Sequence, residues 1–411
     1  MSAIKKTAKS ASKVSSRNHL EGQTPRLRFP GFEGAWECKN MGTLGRFFGG
    51  LTGKSKEDFG HGDALFVPYM NVYKNVVAAP DACEKVEVRT GENQNKIVAG
   101  DIMFTQSSET VEEIGFASVW LSDHTPYLNS FCFAFRIADP TSTFPLWFAY
   151  FMRSNNVRKA IMREGQGITR VNLSAERLKV IALAIPSGRE QRKIATFLSH
   201  IDARIAAQRK LVELLKKHKR GLLRKVFEEN GEGDYRPFSE IAERRSDKIP
   251  PAPHSSLVCI ELEHIEPETG RLFGNVPLRG QNSLKNLCRP NDIIFGKLRP
   301  YLRKFAFAEI ECAVSSETWV LVAAKDIQPR FLFYLIQSEP FMRAASVSSG
   351  TKMPRSEWSN VAGARFHIPD ERRQSIVAEC FRNFDNRIQA SQRVVDALES
   401  MKRGLLQALF V

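Results

Sequence analysis

The feature that most constrains this chain is an internal repeat. Residues 185–227, IPSGREQRKIATFLSHIDARIAAQRKLVELLKKHKRGLLRKVF, align without a gap with residues 368–410, IPDERRQSIVAECFRNFDNRIQASQRVVDALESMKRGLLQALF, at an offset of 183, and 17 of the 43 positions are identical. Shared positions include Pro186/Pro369, Gln191/Gln374, Asp202/Asp385, Arg204/Arg387 and the KRGLL run that starts at Lys219 and at Lys402. Fainter echoes lie upstream. Gly167 matches Gly350 at the same offset, WFAYFMRS (147–154) resembles FLFYLIQS (331–338) one residue out of register, GDIMF (100–104) resembles NDIIF (291–295), and FEGAW (32–36) resembles GEGDY (231–235). The chain is a tandem duplication, each copy a variable region of about 130–150 residues followed by a helical segment.

Within each helical segment the apolar positions advance in alternating steps of four and three, the 3.5-residue period of a coiled-coil seam. The first segment sets Ile194, Ile201, Gln208, Leu215 and Leu222 in one row and Leu198, Ile205, Val212, Lys219 and Val226 in the other. The second reproduces it with Val377, Phe384, Ser391, Leu398 and Leu405 beside Phe381, Ile388, Val395, Lys402 and Leu409. Even the breaks repeat: Gln208 aligns with Ser391 and Lys219 with Lys402. Two matched seams in one chain predict that the helices pack on each other, parallel or antiparallel. The antiparallel arrangement would give an internal pseudo-two-fold axis. Pro186 and Pro369 mark the helix entries. A helix from Glu190 to Phe227 would be roughly 55 Å long at 1.5 Å per residue, a ruler between two modules. DNA turns every ~10 base pairs, so such a scaffold suits two half-sites at fixed spacing. Because the variable regions differ, the two half-sites are expected to differ as well.

Composition narrows the partner. A net charge of +15 favours a polyanion, of which nucleic acid is the commonest. The seven cysteines are scattered without a CxxC pair, which fits reduced thiols rather than a zinc ligand set. Residues 1–23 read as a basic, Ser/Ala-rich disordered tail without the apolar run of a secretory signal. No stretch approaches the ~20 apolar residues of a membrane helix. A soluble, cytoplasmic protein is expected.

The globular regions hold residue types that contact DNA. The first offers Lys54, Lys56, the run PYMNVYKN with Tyr69, Asn71, Tyr73, Lys74 and Asn75, then Gln106 and Ser107, and further on Arg170 and Asn172. The second offers FGKLRPYLRK (295–304), with Lys297, Arg299, Tyr301, Arg303 and Lys304, and then Lys352 and Arg355. Arginine and lysine neutralise phosphates or read guanine, and asparagine and glutamine read adenine. The basic, aromatic-interleaved FGKLRPYLRK is the foremost candidate, because it is poor core material and good phosphate-contact material.

Signs of chemistry are missing. GGLTGKS (49–55) falls short of the phosphate-binding GxxxxGK(S/T), since Phe48 stands where the first glycine is needed. There is no GxGxxG, no Asn/Asp-Pro-Pro-aromatic tetrapeptide of adenine methyltransferases (Ala252 follows Pro250 and Pro251), and no HxxxH pair among the eight histidines. Neither a catalytic set nor a metal site is expected.

TPRLRFPGFEGAWE (24–37), the IP…Q…I entries at 185 and 368, the RI…Q central helices and the KRGLLQ ending together resemble the specificity subunits of type I restriction-modification systems. The resemblance runs over residues 24–411. It implies an α+β fold in which two globular α/β target-recognition domains are separated by two long conserved helices packed as a coiled coil. The segments would be 24–150 and 230–349 for recognition, and 151–229 and 350–411 for the conserved helical regions. It implies a non-catalytic reader of double-stranded DNA with a bipartite, asymmetric target, whose helices dock two methylation subunits. Two restriction subunits would complete the complex. S-adenosylmethionine for adenine-N6 methylation, ATP and Mg would sit on those partners, and no cofactor on this chain. The competing expectation is a coiled-coil assembly scaffold that reads no DNA.

Overall fold

The computed structural model describes residues 24–228, 234–251, 255–347 and 353–411. The tail before residue 24, Gly350 and Lys352 lie outside the described residues. In the first copy, short apolar runs bounded by turn residues form strands, as expected for buried strands with few polar interruptions. In chain order they are β1 (Glu37–Asn40), β2 (Gly45–Gly49), β3 (Phe59–Val67), the short helix α1 (Tyr69–Lys74), β4 (Glu84–Val86), β5 (Ile102–Thr105), β6 (Ser107–Ser108), β7 (Ala117–Val119), β8 (Tyr127–Leu128) and β9 (Cys132–Ile137). Helices α2 (Pro145–Met152) and α3 (Asn155–Arg163), strand β10 (Val171–Asn172), helix α4 (Ala175–Lys179) and strand β11 (Ala182–Ile185) lead into the long helix α5 (Gly188–Glu228).

An antiparallel sheet of order β2-β9-β5-β7 forms the centre, with a smaller sheet β4-β3-β8 beside it. Every residue of α2 from Trp147 to Met152 is buried, the mark of a helix apolar on all sides and enclosed in the core. Its rings join those of Phe104, Phe133 and Phe135 from the sheet. Strand β1 pairs antiparallel with β11, with Glu37 opposite Ile185.

The second copy repeats the plan. Its elements are β12 (Asp234–Pro237), α6 (Phe238–Ile241), β13 (Ala242–Arg244), β14 (Lys248–Ile249), β15 (Val258–Ile260), β16 (Val276–Pro277), β17 (Lys285–Cys288), β18 (Ile293–Gly296), β19 (Phe305–Phe307), β20 (Cys312–Val314) and β21 (Thr318–Ala323). Then follow α7 (Pro329–Leu335), α8 (Glu339–Ser346), α9 (Trp358–Ala362), β22 (Arg365–Ile368) and the long helix α10 (Glu371–Ala408). The sheets run β13-β21-β18-β19 and β14-β17-β20-β15-β16, and β12 pairs with β22 so that Asp234 faces Ile368, the repeat partner of Ile185. The fold is mixed α+β with two long helices, as the resemblance implied.

Packing divides the chain in mid-helix. One unit takes in the described residues up to Ala206 together with Asp396–Val411, and the other takes in Ala207–Val395. In both, the two long helices run antiparallel. In the first unit Ile194, Leu198, Ile201 and Ile205 share a core with Leu398, Leu409 and Phe410. In the second, Val212 and Leu215 pack with Ile388 and Val395, and the Gln208 amide lies 3.4 Å from the Ser391 carbonyl, so two breaks in the seams meet.

The structure corrects the seam at its ends. Leu223, not Leu222, is the fully buried residue near the end of α5, and Ala378, not Val377, near the start of α10. Leu222, Val377, Phe384 and Leu405 are half-buried, with Phe384 edge-on to His218 at 5.3 Å. A straight helix has 3.6 residues per turn, so a 3.5-residue repeat drifts off the buried face over its length.

The lysine breaks are paired with aspartates of the opposite helix. Lys219 Nζ donates to Asp385 Oδ1 at 2.7 Å and to Gln337 Oε1 at 3.0 Å, over the ring of Tyr334, whose hydroxyl donates to Asp385 Oδ2 at 2.9 Å. In the first unit Lys402 Nζ lies 2.5 Å from Asp202 Oδ1 and over the ring of Tyr150, whose hydroxyl donates to Asp202 Oδ2 at 2.7 Å. Burial pushes the Lys219 ammonium below its usual range against the pull of Asp385, and pushes both phenols up. Two glutamines repeat in the same way. Gln191 bridges Pro186 O, Ser142 O and Phe144 N, and Gln374 bridges Pro369 O, Asp326 O and Gln328 N.

Breaking a buried pair strands a charge, whereas replacing both partners with apolar groups does not. Asp385→Asn should therefore cost about 3 kcal/mol in urea unfolding, and Lys219→Met with Asp385→Leu should recover most of it. A single-variant cost near zero would show that the pair is screened like a surface one.

Candidate nucleic-acid interface

Both copies build the same local device. Past the helix that follows α2 or α7 in the chain, a short extended piece lies against the strand leaving the central sheet. In the first copy β10 pairs with β6, with Asn172 opposite Ser107. In the second, Arg355 bridges to Leu298, and Asn172 and Arg355 are repeat partners at the offset of 183.

In the first copy this brings together Gln106, Ser107, Arg170 and Asn172. Gln106 exchanges backbone hydrogen bonds with Phe131 and Leu173, which places the exposed ring of Phe131 in the same cluster, with the Arg170 guanidinium 5.9 Å from its centroid. Nearby, Tyr69 stacks on Tyr73 at 6.2 Å. Tyr73 donates to Glu113 at 3.2 Å, and Lys74 is exposed at the end of the same helix. Arg153 positions that helix. Its guanidinium, pushed down to about 10 by burial, donates to the carbonyls of Val72, Tyr73 and Asn75.

Other predicted residues are used internally. Asn71 is buried and ties Ala79 N, Ala79 O and Asn75 Nδ2. Lys54 lies 2.6 Å from Glu92 Oε2 with its side chain 4% exposed, and it holds that carboxyl below its usual range. The cleft beside it, about 440 Å³, is lined by Glu57, Asp58, Glu87 and Glu92 against Lys54 and Arg89. Carboxylates dominate there, so this glycine-bearing loop is a poor phosphate cradle. Lys56 is exposed on the same loop.

In the second copy the FGKLRPYLRK turn divides in two. Lys297 is half-buried, and Arg299 and Tyr301 are exposed; the 353–356 segment lies against the start of this turn, where Arg299 N donates to Pro354 O at 2.8 Å and Ser356 N to Lys297 O at 2.8 Å. Arg299 and Arg303 both adopt the left-handed conformation, at φ of 52° and 50°, which costs a non-glycine residue energy and fixes an unusual direction for the side chain. Arg303 and Lys304 point back into the fold. Arg303 donates to Gln337 O and Glu339 Oε1, both at 2.6 Å, and Lys304 donates to Leu262 O at 2.6 Å. Arg355 forks onto Glu317 at 3.0 and 3.3 Å, holding that carboxyl below its usual range.

Three side chains missed in the sequence complete this site. Arg244, in the basic run ERRSDK, lies 4.8 Å from the Trp358 ring and 5.9 Å from that of Trp319, in a cleft of about 440 Å³ shared with Lys297, Met353 and Arg355. Cations over aromatic faces at an open cleft can receive base planes and phosphates. Among the described residues no group of histidine, cysteine and carboxylates could hold a metal, and no helix is long and apolar enough to cross a membrane.

Comparison with known proteins fits this geometry. Residues 34–217 match the family described as Type I restriction modification DNA specificity domain. The chain is 23% identical over 282 residues to the Type I restriction enzyme MjaVIII specificity subunit of Methanocaldococcus jannaschii, covering 60% of this chain and 64% of that protein. It is 23% identical over 251 residues to the Type I restriction enzyme EcoDI specificity subunit of Escherichia coli, covering 51% and 55%. The chain thus spans less than two thirds of the length of these two relatives. Its fold is that of a crystallised type I restriction-modification S subunit from M. genitalium, with a TM-score of 0.54, 16% identity, and 95% and 99% coverage of the two chains. It also matches a chain from a structure of type I R-M complex assembly and conformational transition, with a TM-score of 0.55, 13% identity, and 92% and 98% coverage.

The split of the FGKLRPYLRK turn is testable by folding alone. Arg303→Ala removes two hydrogen bonds to α8 and its approach and should cost about 1–3 kcal/mol, whereas Arg299→Ala should change urea stability by less than about 0.5 kcal/mol.

Proposed function

We propose that this chain, which carries a type I restriction-modification DNA specificity domain on the fold of an S subunit, reads a bipartite asymmetric duplex target and directs methylation and restriction subunits to it. The observation that carries this reading is the repeated device. Two equivalent positions, one per copy, present different side chains: Gln106, Ser107, Phe131, Arg170 and Asn172 in the first, and Arg244, Lys297, Arg299, Tyr301 and Arg355 in the second. Equal placement with unequal chemistry is what two different half-sites require.

The first set is amide- and hydroxyl-rich, which suits adenine edges, and the second is arginine-rich, which suits guanine and phosphate. Phosphate contacts supply most of the affinity and base contacts select the sequence. Adenine N6 lies within the stack, so methylating it requires flipping the base out. A reader that holds both flanks leaves that chemistry, with its S-adenosylmethionine, to a partner methylation subunit docked on the helices. ATP and Mg belong to restriction subunits.

Exchanging residues 36–150 for the equivalent region of another subunit should change one half of the methylated site and leave the other half unchanged. An unchanged target would identify a scaffold that reads no DNA. Arg299→Ala should weaken specific binding by about 1–3 kcal/mol. It should also make the slope of log K against log salt shallower by about 0.9 if the lost contact is a phosphate. Titration of labelled duplex at several salt concentrations measures both.

A further inference from the structure

One residue of the loop between α3 and β10, beside the first cluster, is not used by the fold. Ile168 is 104% exposed, the most open of the large apolar side chains described. A lone exposed aliphatic residue is ordinarily unremarked surface, but this one is presented on a defined loop. Gln166 and Asn172 exchange backbone hydrogen bonds of 2.9 and 2.7 Å across its base. Gly167 sits at φ +123°, and a Cβ there would lie 2.0 Å from the Arg170 carbonyl oxygen. A Cβ on Gly165 would lie 2.8 Å from Val171 Cγ1. Only glycine fits these positions, where the chain closes tightly on itself at the base of the loop.

The surroundings say what the tip meets. Arg170 lies against the half-exposed ring of Phe131, Asn172 and Ser107 pair at the base, and α3 leads into the loop with Lys159 and Arg163 exposed. The exposed apolar surface here is the Ile168 side chain and the ring of Phe131, set among cations and amides, where a protein-docking face would present broad apolar area. Cations and amides hold a DNA backbone and base edges, and an aliphatic tip between them can enter a base step as a wedge. Resting on the DNA-reading function proposed above, we infer that Ile168 inserts into a base step of the half-site read by the first copy. Insertion unstacks the step and bends the duplex, and it favours a flexible pyrimidine–purine step.

The test uses the full chain assembled with its methylation subunit and target duplexes carrying 2-aminopurine at successive positions of that half-site. Fluorescence should rise several-fold at one position. Ile168→Ala should at least halve that rise and weaken target binding about tenfold, with an unchanged melting temperature, and Ile168→Leu should keep most of both. Specific binding with no rise at any position would overturn the wedge and leave the DNA-reading function standing. Weaker assembly of Ile168→Ala with the methylation subunit in the absence of DNA would reassign the tip to a protein contact and overturn the wedge. A wild-type complex that binds target and scrambled duplex equally would overturn both.

Discussion

The constraint on which the structure depends is the register of two antiparallel helices, and the polar breaks in their seams set it. An all-aliphatic seam can slide by a heptad with little penalty, because one leucine fits much as another does. Lys219 and Lys402 cannot slide. Each reaches one aspartate of the opposite helix and lies over one tyrosine ring, and a shift of one heptad would leave both ammonium groups without their carboxylates. The same aspartates accept from Tyr334 and Tyr150 of the helices that follow each central sheet, so the register of the seam also seats each sheet's own helix. Gln191 and Gln374 repeat the logic at the helix entries, each joining its proline carbonyl to the loop that precedes α2 or α7.

Much of this was legible in the sequence because duplication writes each requirement twice. Gln191/Gln374, Asp202/Asp385 and Lys219/Lys402 were visible as matched pairs, and the structure shows the interactions that hold them. The tyrosines were half visible, since WFAYFMRS and FLFYLIQS align one residue out of register and Tyr150 and Tyr334 still fill the same role. The direction of helix pairing was not legible, because a heptad seam reads the same in both senses. The ends of the seam misled for a geometric reason: the 3.5-residue period describes the middle, while Leu223 and Ala378 take over where 3.6 residues per turn has drifted.

The candidate interface was less legible because a side chain's type does not give its direction. Lys54, Asn71, Arg303 and Lys304 have the right chemistry for DNA, yet each is committed to a carboxylate or a carbonyl of its own copy. Arg244 and Trp358 are brought beside Arg355 by pairings between distant parts of the chain that no local pattern announces. Phe131 and Ile168 are ordinary apolar letters until their exposure is known. The sequence named Gln106, Ser107, Arg170 and Asn172, and Lys297, Arg299 and Arg355, only one by one; their meeting at equivalent places in the two copies comes from pairings distant in the chain.

The account rests on one division of labour: a matched pair of helices carries two unmatched reading surfaces. Mapping methylated adenines across the genome of a host expressing this chain with its methylation partner tests that claim most directly. The account predicts one motif made of two short, unequal half-sites held apart by a fixed number of unspecified bases. A continuous palindromic motif, or methylation without sequence preference, would contradict it.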